Sequence, residues 1–355
     1  MTTTDASRLL AGRVVCLTGL GGSRLRIGFG LALDFWSTDR PLRTLLDQYT
    51  QLLDLAAEAG FDSVWAGEAR PPMPQPGHVP SPLLILAALA ARTELTIGTG
   101  VTLIPLWHPL RLAYDVAILD HISGGRFILG VGLGKPQVMK RYGFDARDGA
   151  VRMDEILAAL RRLWAGAEGF QGSHVRIDGG ISPAPYQPGG PPIWVGGGVR
   201  RSIERAVEYG DAWYGSTPLP LSLITTQAER YRRLLTERGR DAAQARVAIN
   251  RTTFLAPTDA EALNEGAPFV GSVVDSYARS GLIDVSLATA DETGSMGDKV
   301  VFMGAPETCV KSIRKYINAG VNHFNFRVSM ANMPPALVRR TVMLLGDEVL
   351  PRFRP

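Results

Sequence analysis

Residues 119 to 134 read Leu119-Asp120-His121-Ile122-Ser123-Gly124-Gly125-Arg126-Phe127-Ile128-Leu129-Gly130-Val131-Gly132-Leu133-Gly134. This stretch decides the fold because it holds the joint of a repeating unit. Apolar positions at helical spacing occupy 110–122, and 127–131 is an apolar run of strand length. The same order extends both ways. Toward the amino end, 25–33 reads as a first strand. Leu42, Leu45, Leu46, Tyr49, Leu52, Leu53 and Ala56 then follow at helical spacing, and Gly60 ends that helix. A strand at 61–66, a helix at 82–91 and a strand at 95–101 lead back to the starting point. Toward the carboxyl end, helices at 152–164 and 201–209 alternate with strands at 192–195 and 212–214. A helix around 228–238, a strand at 247–255 and helical sequence after Asp259 come next. A helix at 306–319, an eighth strand at 323–328 and a helix at 335–349 close the series.

Eight strand-then-helix units predict an all-parallel sheet with helical crossovers, and at this length closure into an α/β (β/α)8 TIM barrel with loop insertions is the expected solution. A doubly wound open sheet has the same alternation and is the structural alternative. The barrel domain is expected over 25–355, with residues 1–24 a poorly ordered extension. Two glycine-containing stretches, 170–186 and 268–299, interrupt the rhythm and are expected as insertions over the active-site face. Residues 11–23 imitate the glycine turn of a dinucleotide site. The helix that such a turn must feed is missing, because the next segment is another strand.

Composition narrows the function classes. Of the 355 residues, 45% are hydrophobic and 20% charged, the balance of a chain that buries a large core. The net charge of +4 comes from dispersed arginines, so no nucleic-acid footprint is expected. No two of the five histidines stand four apart, so no metal site is expected. Cys16 and Cys309 are the sole cysteines, too few for a disulfide framework, which points to the cytoplasm. No apolar run has membrane-spanning length, and the amino end lacks a secretory signal pattern.

Several segments carry chemistry as well as fold. In order they are Ala59-Gly60-Phe61-Asp62-Ser63-Val64-Trp65 with Glu68 beyond it, Ile97-Gly98-Thr99-Gly100-Val101, His108-Pro109, and the 119–134 stretch. Pro192-Ile193-Trp194-Val195-Gly196-Gly197-Gly198 and Gly210-Asp211-Ala212-Trp213 complete the set. Gly196, Gly197 and Gly198 let backbone amides approach an anion, while Val199, Ser202 and the next helix add its amino terminus and a hydroxyl. Arg200 and Arg201 are available cations there. The plainer reading is a glycine turn that only links strand to helix.

Taken together over 25–353, these segments closely resemble the luciferase-like monooxygenase family of flavin enzymes. The resemblance implies an oxidoreductase in which reduced FMN and O2 oxygenate a small organic substrate, with reducing equivalents from a separate flavin reductase and a homodimeric assembly. It places Thr99, Gly100, Val101, Leu133 and Gly134 at the flavin ring, with a cis peptide at Gly100–Val101, and the phosphate at Gly196–Ser202. Glu68 and His108 are the catalytic candidates, although packing and helix capping are their plainer roles. Lys135 and Arg327 are the substrate candidates, with His323 also expected at the barrel mouth.

One departure bears on the reaction. The family's functional histidine after the acid of strand two is replaced here by Ala69. The resemblance therefore leaves two alternatives open: hydride transfer with coenzyme F420, and a noncatalytic flavin-binding subunit of a luciferase-type dimer.

Overall fold

The computed structural model describes residues 25–33, 40–68, 81–279, 300–330 and 332–354. The extension 1–24 and Ala69 lie outside them. Eight strands form the barrel: β1 (Gly28–Leu33), β2 (Ser63–Ala66), β3 (Thr96–Thr99), β4 (Phe127–Gly132), β5 (Ile193–Gly196), β6 (Ala212–Gly215), β7 (Arg246–Leu255) and β8 (His323–Arg327). Each pairs in parallel with the next, and β8 pairs back onto β1 through Gly28↔His323 to Ala32↔Arg327. The ring is closed, which removes both sheet edges and excludes the open-sheet alternative.

The crossover helices are α1 (Leu42–Glu58), α2 (Pro82–Ala90), α3 (Pro109–Ile122), α4 (Gly149–Trp164), α5 (Arg200–Glu208), α6 (Leu221–Glu237), α7 (Pro306–Asn318) and α8 (Pro335–Leu344). In α1 the buried residues Leu45, Tyr49, Leu52, Leu53 and Ala56 form one stripe against the sheet. Gly60 then takes φ 82°, and Phe61 N donates to Ala56 O at 2.9 Å, a glycine-dependent helix stop that turns the chain into β2. The main core lies between strands and helices, where Phe29, Phe324 and Phe326 stack with centroids 6.1–6.4 Å apart.

Both expected insertions need correction. Residues 170–186 include a hairpin, Gly169–Gln171 paired antiparallel with Arg176–Asp178. It lies in the connection from α4 to β5, so it covers the amino-terminal end of the barrel, opposite the active-site face. The following loop is fastened to that end, since Gln187 donates from N and Nε2 to the buried Asp120 carboxylate at 2.7 Å. His121 contacts Ala184 O through Nε2 at 2.9 Å, the scaffold role its place on α3 suggests.

In the second stretch, a helix spanning Asp259–Arg279 runs through Pro268, with Ala262, Val270 and Val273 buried in the core. Its packing overrides the proline and glycine signals. Residues 280–299 lie outside the described part. An additional strand, Val301–Gly304, pairs with the upper half of β7 outside the ring.

Candidate active site

The interior of the barrel is asymmetric. Side chains alternate along each strand, and the inward positions of β1, β3 and β4 are mostly glycine, whereas β2, β5 and β6 point Trp65, Trp194 and Tyr214 inward. These aromatic side chains fill the volume the glycines leave. A Cβ on Gly98 would lie 2.4 Å from the Trp65 ring, and one on Gly28 would lie 2.3 Å from His323 Nδ1. Ring centroids of Trp194 are 4.8 Å from those of both Trp65 and His323, and Tyr214 is 5.6 Å from Trp65.

A polar thread runs through this plug. His323 Nε2 and Asn325 Oδ1 are 3.0 Å apart, and Asn325 Nδ2 donates to the Tyr214 hydroxyl oxygen at 2.7 Å. Burial pushes the His323 pKa down to about 3, with the Arg246 charge acting in the same direction against the Asn325 hydrogen bond. His323 is therefore a neutral packing group deep in the barrel, and the expectation that it reaches the mouth is incorrect. The side chain fits there because Gly28 leaves room for it.

Above the plug, the upper end of the barrel is walled by backbone. The Gly100–Val101 peptide is cis. Around it, a Cβ on Gly67 would lie 2.6 Å from Gly100 O. One on Gly132 would meet Val101 Cγ2 at 2.6 Å, and one on Gly196 would lie 2.9 Å from Val131 O. No larger residue fits at these three positions, so the chain forms a flat ledge bordered by Val101. Thr99 is fully buried and braces the ledge, its hydroxyl donating to Gly130 O at 2.7 Å.

The ledge continues into the glycine turn. Gly196 ends β5, Gly197 has φ 138°, and Val199 caps α5 in extended conformation. The turn is held from outside. Trp213 Nε1 donates to Gly197 O at 2.8 Å, Gln227 Nε2 donates to Gly198 O at 3.2 Å, and Leu219 lies against Gly198. These bonds take carbonyls and leave amides: among the described residues, no acceptor engages the Gly198 or Val199 amide. The first-turn amides of α5 point the same way. Ser202 is buried, and its hydroxyl donates to Val199 O at 2.6 Å. Arg200 and Arg201 are not available cations, because they pair with Glu204 at 2.7 Å and Asp154 at 2.9 Å.

The other site candidates are spread around the mouth. Glu68 is buried just past β2, and its Oε2 accepts from Leu103 N at 2.9 Å and from the Trp107 indole at 3.4 Å. His108 is exposed at the start of α3 and makes no side-chain capping bond. Leu133 and Gly134 follow β4 half-buried, with Gly134 at φ 79° beside Leu103. Lys135 is half-buried, and desolvation lowers its pKa. Arg327 is buried at the end of β8, level with Ala32 and Thr252 of the flanking strands. The sequence reading gave no role to Tyr214, Asn325 or the ledge glycine Gly67. Their shared strand parity was the available signal. No cluster of metal-ligating side chains occurs among the described residues.

Comparison with known proteins agrees with the barrel fold. Residues 27–323 match the family described as luciferase-like monooxygenase. The flavin-dependent trigonelline monooxygenase, oxygenase component, of Acinetobacter baylyi is 28% identical over 246 residues, covering 67% of each chain. The F420-dependent glucose-6-phosphate dehydrogenase of Amycolatopsis mediterranei is 26% identical over 322 residues, 84% of this chain and 92% of that one. Among solved structures, the monooxygenase RslO1 from Streptomyces bottropensis superposes with a TM-score of 0.82 at 25% identity, covering 92% of this chain and all of that one. With a closed parallel barrel and a family match that spans most of its length, the chain belongs to the luciferase-like monooxygenase family of flavin-dependent oxidoreductases.

Proposed function

We propose that this protein is the oxygenase component of a two-part system, using reduced FMN from a separate reductase and O2 to oxygenate a small organic substrate. One observation carries the reading: the flat backbone ledge at Gly100–Val101 is continuous with an anion-ready turn at Gly196–Ser202. A Cβ on Gly196 would lie 3.2 Å from Val101 Cγ1, so the two surfaces share a border. A planar ring fits the first, and a phosphate fits the amides of the second. The oxygenase component from Acinetobacter baylyi supports both the flavin and the division of labour.

Thr99, Gly100, Val101, Leu133 and Gly134 would hold the ring, and Gly196, Gly197, Gly198, Val199 and Ser202 the phosphate. Bound FMN supplies the redox chemistry; the protein orients it and keeps water away. Glu68 holds the segment after the ledge through Leu103 and Trp107. Its carboxylate and His108 are the groups proposed to move protons near the ring. Lys135 and Arg327 are proposed to attract an acidic group on the substrate. Lowered by burial, the Lys135 pKa marks an ammonium partly withdrawn from water, where its charge acts more strongly.

The relative from Amycolatopsis mediterranei favours a second reading, hydride transfer with F420, because its similarity covers more of this chain than the oxygenase's does. Fluorescence titration of the purified chain with FMN and with F420 separates the two. Turnover with reduced FMN and O2 should then yield an oxygenated product; peroxide alone across a substrate panel would refute the monooxygenase reading.

A homodimer is proposed on separate grounds. Helix α2 is apolar nearly all round, yet Leu84 is 74% exposed, and Ile118 and Ile122 on neighbouring α3 are each 45% exposed. No described helix is long and apolar enough to cross a membrane. The buried free thiol of Cys309 suits a reducing compartment, and we assign the protein to the cytoplasm.

A further inference from the structure

We propose that Tyr214 is the positioning residue for the flavin ring: its phenol supports the Gly100–Val101 ledge from below, and Asn325 fixes the position of its oxygen. This rests on the flavin reading above. Asn325 Oδ1 and the Trp65 indole nitrogen both border the gap left by Gly30, where a Cβ would lie 2.0 Å from the former and 2.6 Å from the latter. The indole N–H is spent on Ser63 Oγ at 2.8 Å, and Asn325 turns its Nδ2 toward the Tyr214 oxygen, which leaves Oδ1 in that gap. The amide oxygen therefore faces His323 Nε2 at 3.0 Å, and that nitrogen carries the imidazole proton. Asn325 Nδ2 is left to donate to the Tyr214 oxygen at 2.7 Å. That bond fixes the position of the Tyr214 oxygen at the top of the thread.

The phenol oxygen meets the ledge. An ideal Cβ on Gly100 would stand 3.1 Å from it, closer than nearly all real contacts of that kind, with the nearest ring carbon at 3.5 Å. Tyr214 is itself 4% exposed and packed between Trp65 and Trp194, with centroids 5.6 and 6.1 Å away, so the ring cannot swing aside. The phenol therefore bounds the space beneath Gly100 and limits how far the Gly100–Val101 segment can settle toward the plug. A methyl group at 100 would press on the phenol oxygen, which would have to give by a few tenths of an ångström.

The test is a double-mutant cycle on FMN affinity and on the visible spectrum of bound FMN, with unfolding of the flavin-free protein as the structural control. Tyr214→Phe keeps the ring and removes the hydroxyl. It is expected to weaken FMN binding about tenfold and to shift the bound spectrum. Gly100→Ala crowds the phenol oxygen and should weaken binding alone. In the double variant the methyl meets ring carbons at ordinary distance, so the combined loss should be no larger than that of Tyr214→Phe. Wild-type affinity and spectrum in Tyr214→Phe would overturn the proposal, as would losses that multiply in the double variant. Should the unaltered protein bind neither FMN nor F420, the flavin reading fails instead.

Discussion

Acidification from pH 7 to pH 5 tests the barrel interior through His323. In the folded protein burial holds its pKa near 3, against an ordinary value of 6.5 once the chain unfolds. Because the folded value is depressed, the contribution of His323 to stability is fully present above pH 6.5. It is lost as the pH falls toward 3, since the unfolded chain takes up a proton that the native state refuses. Linkage over the interval from 7 to 5 gives a loss of about 2 kcal/mol from this group, of about 5 kcal/mol across the whole window. The comparison is His323→Gln, whose amide nitrogen can still donate toward Asn325 but does not titrate. Urea unfolding at pH 7, 6 and 5 should show the wild type losing about 2 kcal/mol more than the variant between the extremes. The reasoning is refuted if both proteins lose the same stability over that interval.

Other substitutions probe the remaining assignments. Gly130→Ala would place a Cβ 1.8 Å from Thr99 O, a backbone clash at the root of the ledge. It should cost about 4 kcal/mol or more, read as loss of soluble folded protein. Arg251 is fully buried and donates to Thr217 O, Asn250 O, Leu219 O and the Tyr316 hydroxyl at 2.7–3.2 Å. Arg251→Met should lower the unfolding free energy by about 3 kcal/mol. It should also weaken FMN binding, because the loop it releases packs Leu219 onto Gly198. Leu84→Glu should convert a dimer to a monomer in size-exclusion chromatography with light scattering, and unchanged mass would remove α2 from the interface.

Much of the fold was legible because its signals are local. Glycine stops such as Gly60, apolar stripes such as Leu45 to Ala56, and short apolar runs such as 127–131 each depend on a few neighbouring residues. The glycine turn after β5 was also readable in position, since it lies within one continuous segment, while the Gly100–Val101 cis bond was expected from the family resemblance alone. Expectations failed where the answer depended on which end of the barrel a loop occupies. The hairpin near Phe170 looked like an active-site cover until its place between α4 and β5 put it at the other end. Arg201 looked like a free cation until α4 brought Asp154 against α5, whereas the pairing of Arg200 with Glu204 lies within α5 itself.

The order of elements, their periodicity and the glycine turns were determined by the sequence itself, because backbone conformation and side-chain period are short-range properties of the chain. The tertiary structure alone decided what faces what inside the ring. Closure of β8 onto β1 brings His323 into the space above Gly28, and the β5–β6 pairing helps set Tyr214 beneath Gly100. These residues lie far apart in the chain, and only the register of a closed barrel specifies that a missing side chain on one strand is the volume a large one on another must fill.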